Sequence, residues 1–169
     1  GINSEGLNVS LLYLPGFAEY QAYDPEQAAI SLAPVDFTGF MLSQFASVAE
    51  VRQAAQNIRV VPVVTPELGV VAPVHFSITD RSGDQVIVEY IGGVLKIYEK
   101  TLGVLTNSPP YDWHINNARN YINMRSVDWP EVDVNGVDLA PIGYGTGLLG
   151  LPGDFTPPSR FIRALAWTQ

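Results

Sequence analysis

Apolar and polar positions change rhythm several times along the chain, and each change marks an element. Residues 7–14 (LNVSLLYL) alternate at first and then become wholly apolar, the pattern of a buried strand that Pro15-Gly16 closes with a turn. The apolar run after Ser10 predicts a strand covered on both faces, with neighbours on either side. Residues 16–33 read as a surface excursion in which Asp24-Pro25 starts a turn or a helix. After Pro34, the stretch VDFTGFMLSQF accepts a helix with the proline in its first turn. Ser47-Val48-Ala49-Glu50 has capping-box spacing, in which the hydroxyl takes one free N–H and the carboxylate reaches back to another. Val48, Val51, Ala54, Ala55 and Ile58 then recur at helical intervals.

From Val60 onward the preference switches to β-branched residues. Residues 74–79, 86–90, 95–98 and 104–106 predict four short strands, with Ser82-Gly83-Asp84 and Gly92-Gly93 as turns, which together form an antiparallel meander. A helix is predicted over 112–123. Residues 125–155 read as a loop rich in Gly, Pro and Asp, longer than a connection in a compact domain needs. Thr156-Pro157-Pro158-Ser159 starts a last helix, with Thr as N-cap and Pro at the first helical position, carrying Arg160, Ile162, Arg163 and Trp167. Helices, a meander and another helix predict an α+β fold.

Composition narrows what such a fold can do. At 169 residues the chain is one domain or part of a larger one, and 47 % apolar against 15 % charged residues supplies a core and excludes disorder. Nine Lys and Arg against 17 Asp and Glu give a net charge of −8, which argues against a nucleic-acid partner. No apolar run approaches the roughly 18 residues that a membrane span needs. Without cysteine the 169 residues hold no disulfide, no thiolate zinc site and no cysteine nucleophile. Gly1 opening into GINSEGL, without a signal peptide, and the apolar ALAW near the end read as cut ends.

Few residues point to chemistry. His75 and His114, the only histidines, lie 39 apart without HExxH spacing, so a structural role is the better reading of each. No GxSxG elbow supports a serine triad. The glycines of residues 143–150 (GYGTGLLG) superficially contain GxGxG, but no suitable strand precedes them and Pro152 follows too soon. A loop needing positive φ or close backbone approach is favoured. Asp128, Glu131, Asp133 and Asp138 crowd a polar loop where solvation explains them. Asn107 ends the predicted fourth meander strand, just before Pro109-Pro110. It is either an Asx-turn residue or a donor aimed at a developing oxyanion. Arg160 sits in the first turn of the last helix, where the macrodipole disfavours a cation. It therefore needs a fixed partner, in a structural pair or in an active site.

GINSEGLNVSLLYLPGF, VHFSITDRSGDQVIVEY, LGVLTNSPPYDWHINNARNYI and GYGTGLLGLPGDFTPPSRFIR together resemble the choloylglycine hydrolase family. These are the bile salt hydrolases and penicillin V acylases, N-terminal-nucleophile (Ntn) amidases of four-layer αββα fold. The resemblance spans nearly the whole chain in the family's order, and makes residues 1–169 part of one such domain. It implies an N-terminal cysteine that attacks an amide carbonyl, its own α-amino group serving as base. It also implies an oxyanion held by Asn107 and by the backbone N–H at Tyr13, with Arg160 beside the nucleophile. All three are expected to converge on one cysteine sulfur.

The implied nucleophile, with an arginine and an aspartate close behind it, falls upstream of Gly1, so the chain alone is expected to be inactive and incompletely packed. Bile salt hydrolases usually carry asparagine where this chain has Tyr13. A tyrosine shapes an apolar pocket and is more similar to penicillin V acylases and relatives that accept acyl-homoserine lactones. Penicillin V acylase-like hydrolysis is therefore the expected activity, with conjugated bile salt hydrolysis or a non-catalytic sandwich as alternatives. The resemblance further implies no cofactor, a small-molecule amide substrate, a bacterial periplasmic or cytoplasmic setting, and a homotetramer assembled through residues 121–153.

Overall fold

The alternating segments become a four-stranded antiparallel sheet in the order β1 (Asn8–Tyr13), β2 (Val74–Thr79), β3 (Gln85–Ile91) and β4 (Val94–Tyr98). The computed structural model describes residues 1–168. They group into two compact units, one of Gly1–Thr101 with Asn107–Tyr111, the other of Leu102–Thr106 with the chain from Asp112 onward. In the first unit, β1 pairs with β2 so that Leu12 faces His75, while Phe76 faces Val88 across β2 and β3, and Glu89 faces Lys96 across β3 and β4. Side chains alternate between faces, so Val9, Val74, Phe76, Ile78, Val86, Val88 and Tyr90 share one face, and all are buried. Gly92 and Gly93, at φ 59° and 73°, make the two-residue turn between β3 and β4, a conformation that side chains resist.

Two helices cover the apolar face. α1 (Asp36–Gln44) buries Phe37 and Met41, and the Phe37 ring stacks on Phe76 with centroids 4.2 Å apart. Val35 stands at its N-cap, so Pro34 precedes the helix and does not occupy the first turn as predicted. α2 (Val48–Ala55) has the predicted capping box: Glu50 N donates to Ser47 Oγ at 3.3 Å and Ser47 N to Glu50 Oε2 at 3.1 Å. Val48, Val51 and Ala55 are buried, whereas Ile58 packs on the core from beyond the helix end. Val48 N also donates to Asp80 Oδ2 at 2.8 Å, tying the start of α2 to the turn between β2 and β3.

One strand expectation fails. Residues 104–106 pair in no ladder among the described residues. Val104 and Thr106 are buried, and Thr106 Oγ1 donates to Pro157 O at 3.1 Å. β-branched residues favour an extended backbone, but a strand also needs a neighbour, and the sheet's fourth place is filled by β1. β1, read as a strand with neighbours on either side in the complete protein, leaves apolar surface open within these residues, where Leu11 and Tyr13 are 40 % and 46 % exposed. Its outer edge is paired by Gly1 and Ile2 at Asn8 and Val9, and among the described residues no strand flanks residues 10–13.

The second unit holds α3 (Tyr111–Ala118) from Asp112 on, extended by a 3₁₀ turn at Arg119–Tyr121, and α4 (Pro157–Trp167). Between them the predicted loop contains an exposed hairpin, β5 (Val132–Val134) and β6 (Val137–Leu139), turned at Asn135-Gly136 with both φ angles positive. Asp128 Oδ1 accepts from Gly145 N at 2.6 Å and Thr146 N at 2.7 Å, and the Arg125 guanidinium lies 4.0 Å over the Trp129 ring. Gly147 is buried against the carbonyls of Arg125 and Val127, with no room for a Cβ. The glycine stretch is thus a loop shaped by close backbone approach.

Candidate active site

The outer edge of β1 is where donors gather. In an antiparallel pair, the N–H and C=O of one residue point at the partner strand and those of the next point away. Leu14 N donates to Pro73 O at 2.8 Å, and Leu12, facing His75, shares that parity. The N–H and C=O of Tyr13 therefore point away from β2. On that same side Asn107 Nδ2 donates to Tyr13 O at 2.7 Å, and in the turn that follows β1 Ser108 Oγ donates to Pro15 O at 2.8 Å. A primary amide nitrogen carries two N–H groups. One of those on Asn107 is directed at the carbonyl of Tyr13, the residue whose own N–H leaves the strand on the same side.

Asn107 reaches this place from a loop, not from the strand end predicted for it, because residues 104–106 belong to no ladder. The bond to Tyr13 spans 94 residues, so it is not the local closure of an Asx-turn. Pro109 and Pro110 follow, each with φ locked by its ring. The segment ends at Tyr111, whose N–H donates to Glu89 Oε1 at 3.0 Å and to Oε2 at 3.1 Å. Glu89 Oε1 lies 2.8 Å from His75 Nδ1 on the adjacent strand, and neither side chain has any exposed surface. A carboxylate oxygen accepts, so Nδ1 carries the proton of that contact. His75 is thus a structural histidine with a partner, as its sequence context implies. His114 is buried against Phe161, the rings 4.5 Å apart and nearly parallel.

Glu89 did not emerge from sequence reasoning. The available signal is a single carboxylate inside the apolar run VIVEY, since a charge placed in a buried strand requires partners.

Arg160 belongs to the second unit, in the first turn of α4, and its Nε donates to Phe155 O at 3.2 Å. A backbone carbonyl is therefore a fixed partner of the guanidinium. Thr156 is the N-cap by position, but its hydroxyl does not cap the helix. It donates to Asp154 Oδ1 at 2.5 Å, as Thr156 N does at 2.8 Å, while Ser159 Oγ donates to Asp154 Oδ2 at 2.7 Å. These bonds hold the Asp154 carboxyl well below the ordinary 3.8, at about 2. Arg163 Nη1 donates to Pro152 O at 2.8 Å and to Asp154 O, fixing the loop that enters the helix.

Of the three residues singled out, the structure brings Tyr13 and Asn107 together within one unit. Two N–H donors on one strand edge suit an atom that gains negative charge in a reaction, because fixed dipoles need no reorganisation when the charge appears.

Comparison with known proteins gives this geometry a setting. The sequence model described as linear amide C–N hydrolases, choloylglycine hydrolase family, matches residues 1–169. A bile salt hydrolase/transferase of Clostridium perfringens is 37 % identical over 163 residues, covering 96 % of this chain and 49 % of the relative. A solved structure of a mutant conjugated bile acid hydrolase of the same organism superposes with a TM-score of 0.87 at 37 % identity, covering 98 % of this chain and 50 % of the other. Penicillin V acylase of Agrobacterium tumefaciens superposes with a TM-score of 0.71 at 30 % identity, covering 97 % and 42 %. The chain spans about half the length of the curated relatives it matches. Its fold is the α+β Ntn-hydrolase fold.

Proposed function

The chain belongs to the choloylglycine hydrolase family of linear amide C–N hydrolases, and from that membership we propose that the complete protein hydrolyses the amide bond of conjugated bile acids. In this reading an N-terminal cysteine upstream of Gly1 attacks the amide carbonyl, with its α-amino group accepting the thiol proton and delivering it to the leaving amine. The carbonyl oxygen gains negative charge between the N–H of Tyr13 and the Nδ2–H of Asn107. Arg160 supports the charge state of the nucleophile. Water then releases the acyl group from sulfur. The observation that carries the reading is the 2.7 Å bond from Asn107 Nδ2 to Tyr13 O, which sets a side-chain donor beside a backbone donor.

Bile acid amides are favoured over penicillin V because the similarity is higher on that side, 37 % identity and a TM-score of 0.87 against 30 % and 0.71. The sequence expectation ranked the two the other way round, on the strength of Tyr13 alone. Tyr13 still supports a second reading. Its half-exposed ring offers an apolar wall suited to a phenoxyacetyl or fatty acyl group. We further infer a homotetramer for the complete protein, and no activity for the cysteine-free 169 residues alone.

Turnover of glycine- and taurine-conjugated bile salts, penicillin V and acyl-homoserine lactones by the full-length protein tests the proposal, with the 169-residue chain as control. The expected result is the highest kcat/KM on a conjugated bile salt and none from the control. A higher value on penicillin V reverses the order of the two readings. No amide turnover by full-length protein with a free N-terminal cysteine overturns both.

A further inference from the structure

We propose that Glu89, braced by His75, is a positioning residue for this hydrolysis, holding the segment from Asn107 to Tyr111 so that the Asn107 amide stays on the edge of β1. The inference rests on the oxyanion role given to Asn107 above. Glu89 has no exposed surface and lies on the central strand β3, so it touches no substrate. Taking a carboxylate out of water is costly unless its oxygens are met by donors. Here His75 Nδ1 meets Oε1, and Tyr111 N–H lies within 3.1 Å of both oxygens. Hydrogen bonds to an ionised group are the stronger kind, and both stand in a dry environment.

The segment so held is short and stiff. One end is fixed by Asn107 Nδ2 and Ser108 Oγ on the carbonyls of Tyr13 and Pro15. The other end is fixed by Tyr111 N–H on Glu89, with the Tyr111 ring packed edge-on against Tyr98 at 5.1 Å. Pro109 and Pro110 remove two φ rotations between the anchors. A shift of Tyr111 is therefore carried to Asn107 with little slack. His75 sets Glu89 in turn: it stands opposite on β2 by continuation of the Phe76–Val88 register, and its bond fixes which way the carboxylate faces.

A double-mutant cycle in the full-length enzyme tests the role. Glu89→Gln keeps the shape and removes the charge, leaving an amide group to face one of two donors. With conjugated bile salt as substrate it is expected to lower kcat by about 10- to 100-fold, the scale of a misplaced catalytic group, with KM within about twofold. In an Asn107→Ala background the same change is expected to lower kcat by less than about threefold, because the group it positions is gone. Full multiplication of the two effects, or wild-type kcat in folded Glu89→Gln, overturns the positioning role. Wild-type kcat in Asn107→Ala overturns instead the oxyanion reading beneath it. If Glu89→Gln does not fold, His75 supplies the test. His75→Gln retains a donor for Glu89 and is expected to keep most of kcat, while His75→Leu loses the donor and is expected to show the loss predicted for Glu89→Gln. Equal kcat for the two His75 variants overturns the proposal.

Discussion

Asp154 accepts from two hydroxyls and a backbone N–H at the start of α4. All of these bonds favour the ionised carboxylate, which brings its pKa from the ordinary 3.8 down to about 2. A carboxyl whose folded value is depressed stabilises the fold above its unfolded value, and that contribution fades as pH falls from about 4 through about 2. The expected result is a titration of the Thr156 amide resonance with a midpoint near 2, absent in Asp154→Asn. A midpoint at the ordinary aspartate value contradicts the network. Single residues were unevenly legible in the sequence. Asn107 stood out because two prolines follow it, Arg160 because a cation in the first turn of a helix needs a partner, and Tyr13 through family resemblance. Glu89 did not, because a carboxylate in a strand looks like a solvated one until its two donors, from His75 and from 22 residues downstream, are brought to it by the fold.

Among elements, α2 was readable to its cap because every determinant lies within a few residues of Ser47. The meander strands over 74–98 were readable for the same reason, their turns being marked by glycine. The hairpin β5–β6 carried an equally local signal, Asn135-Gly136 between Val-Asp alternations, but was hidden inside a segment judged by its length. Strand status at 104–106 depended on a distant partner, and no local pattern reveals whether one exists. The segment around the hairpin also bears on assembly. Ile142 and Tyr144 are fully exposed and Leu149 three-quarters exposed, an apolar surface that isolated proteins seldom present to water. In the full-length protein we expect Ile142→Ser with Tyr144→Ser to shift the mass measured by light scattering from tetramer toward smaller species. A wild-type protein that is monomeric at micromolar concentration contradicts the assembly.

At the scale of the molecule, the α+β class and the family were legible throughout the chain, and the open edge of β1 matches the incomplete packing read from its apolar run. An apolar run reads as covered on both faces whether or not its neighbours lie within the same 169 residues. The exposed Leu11 and Tyr13 and the outer edge of residues 10–13, which no strand pairs among the described residues, leave backbone donors on the side of the sheet where Asn107 is anchored. Those donors link the fold to the proposed chemistry, since Tyr13 N–H and Asn107 Nδ2 are the pair that would meet a carbonyl oxygen in the complete protein. The most direct measurement is kcat for conjugated bile salt hydrolysis by full-length Asn107→Ala beside the wild type. The predicted result is a fall of about 10²- to 10³-fold with the fold intact, the scale of one lost oxyanion donor. Turnover near the wild-type rate would contradict it.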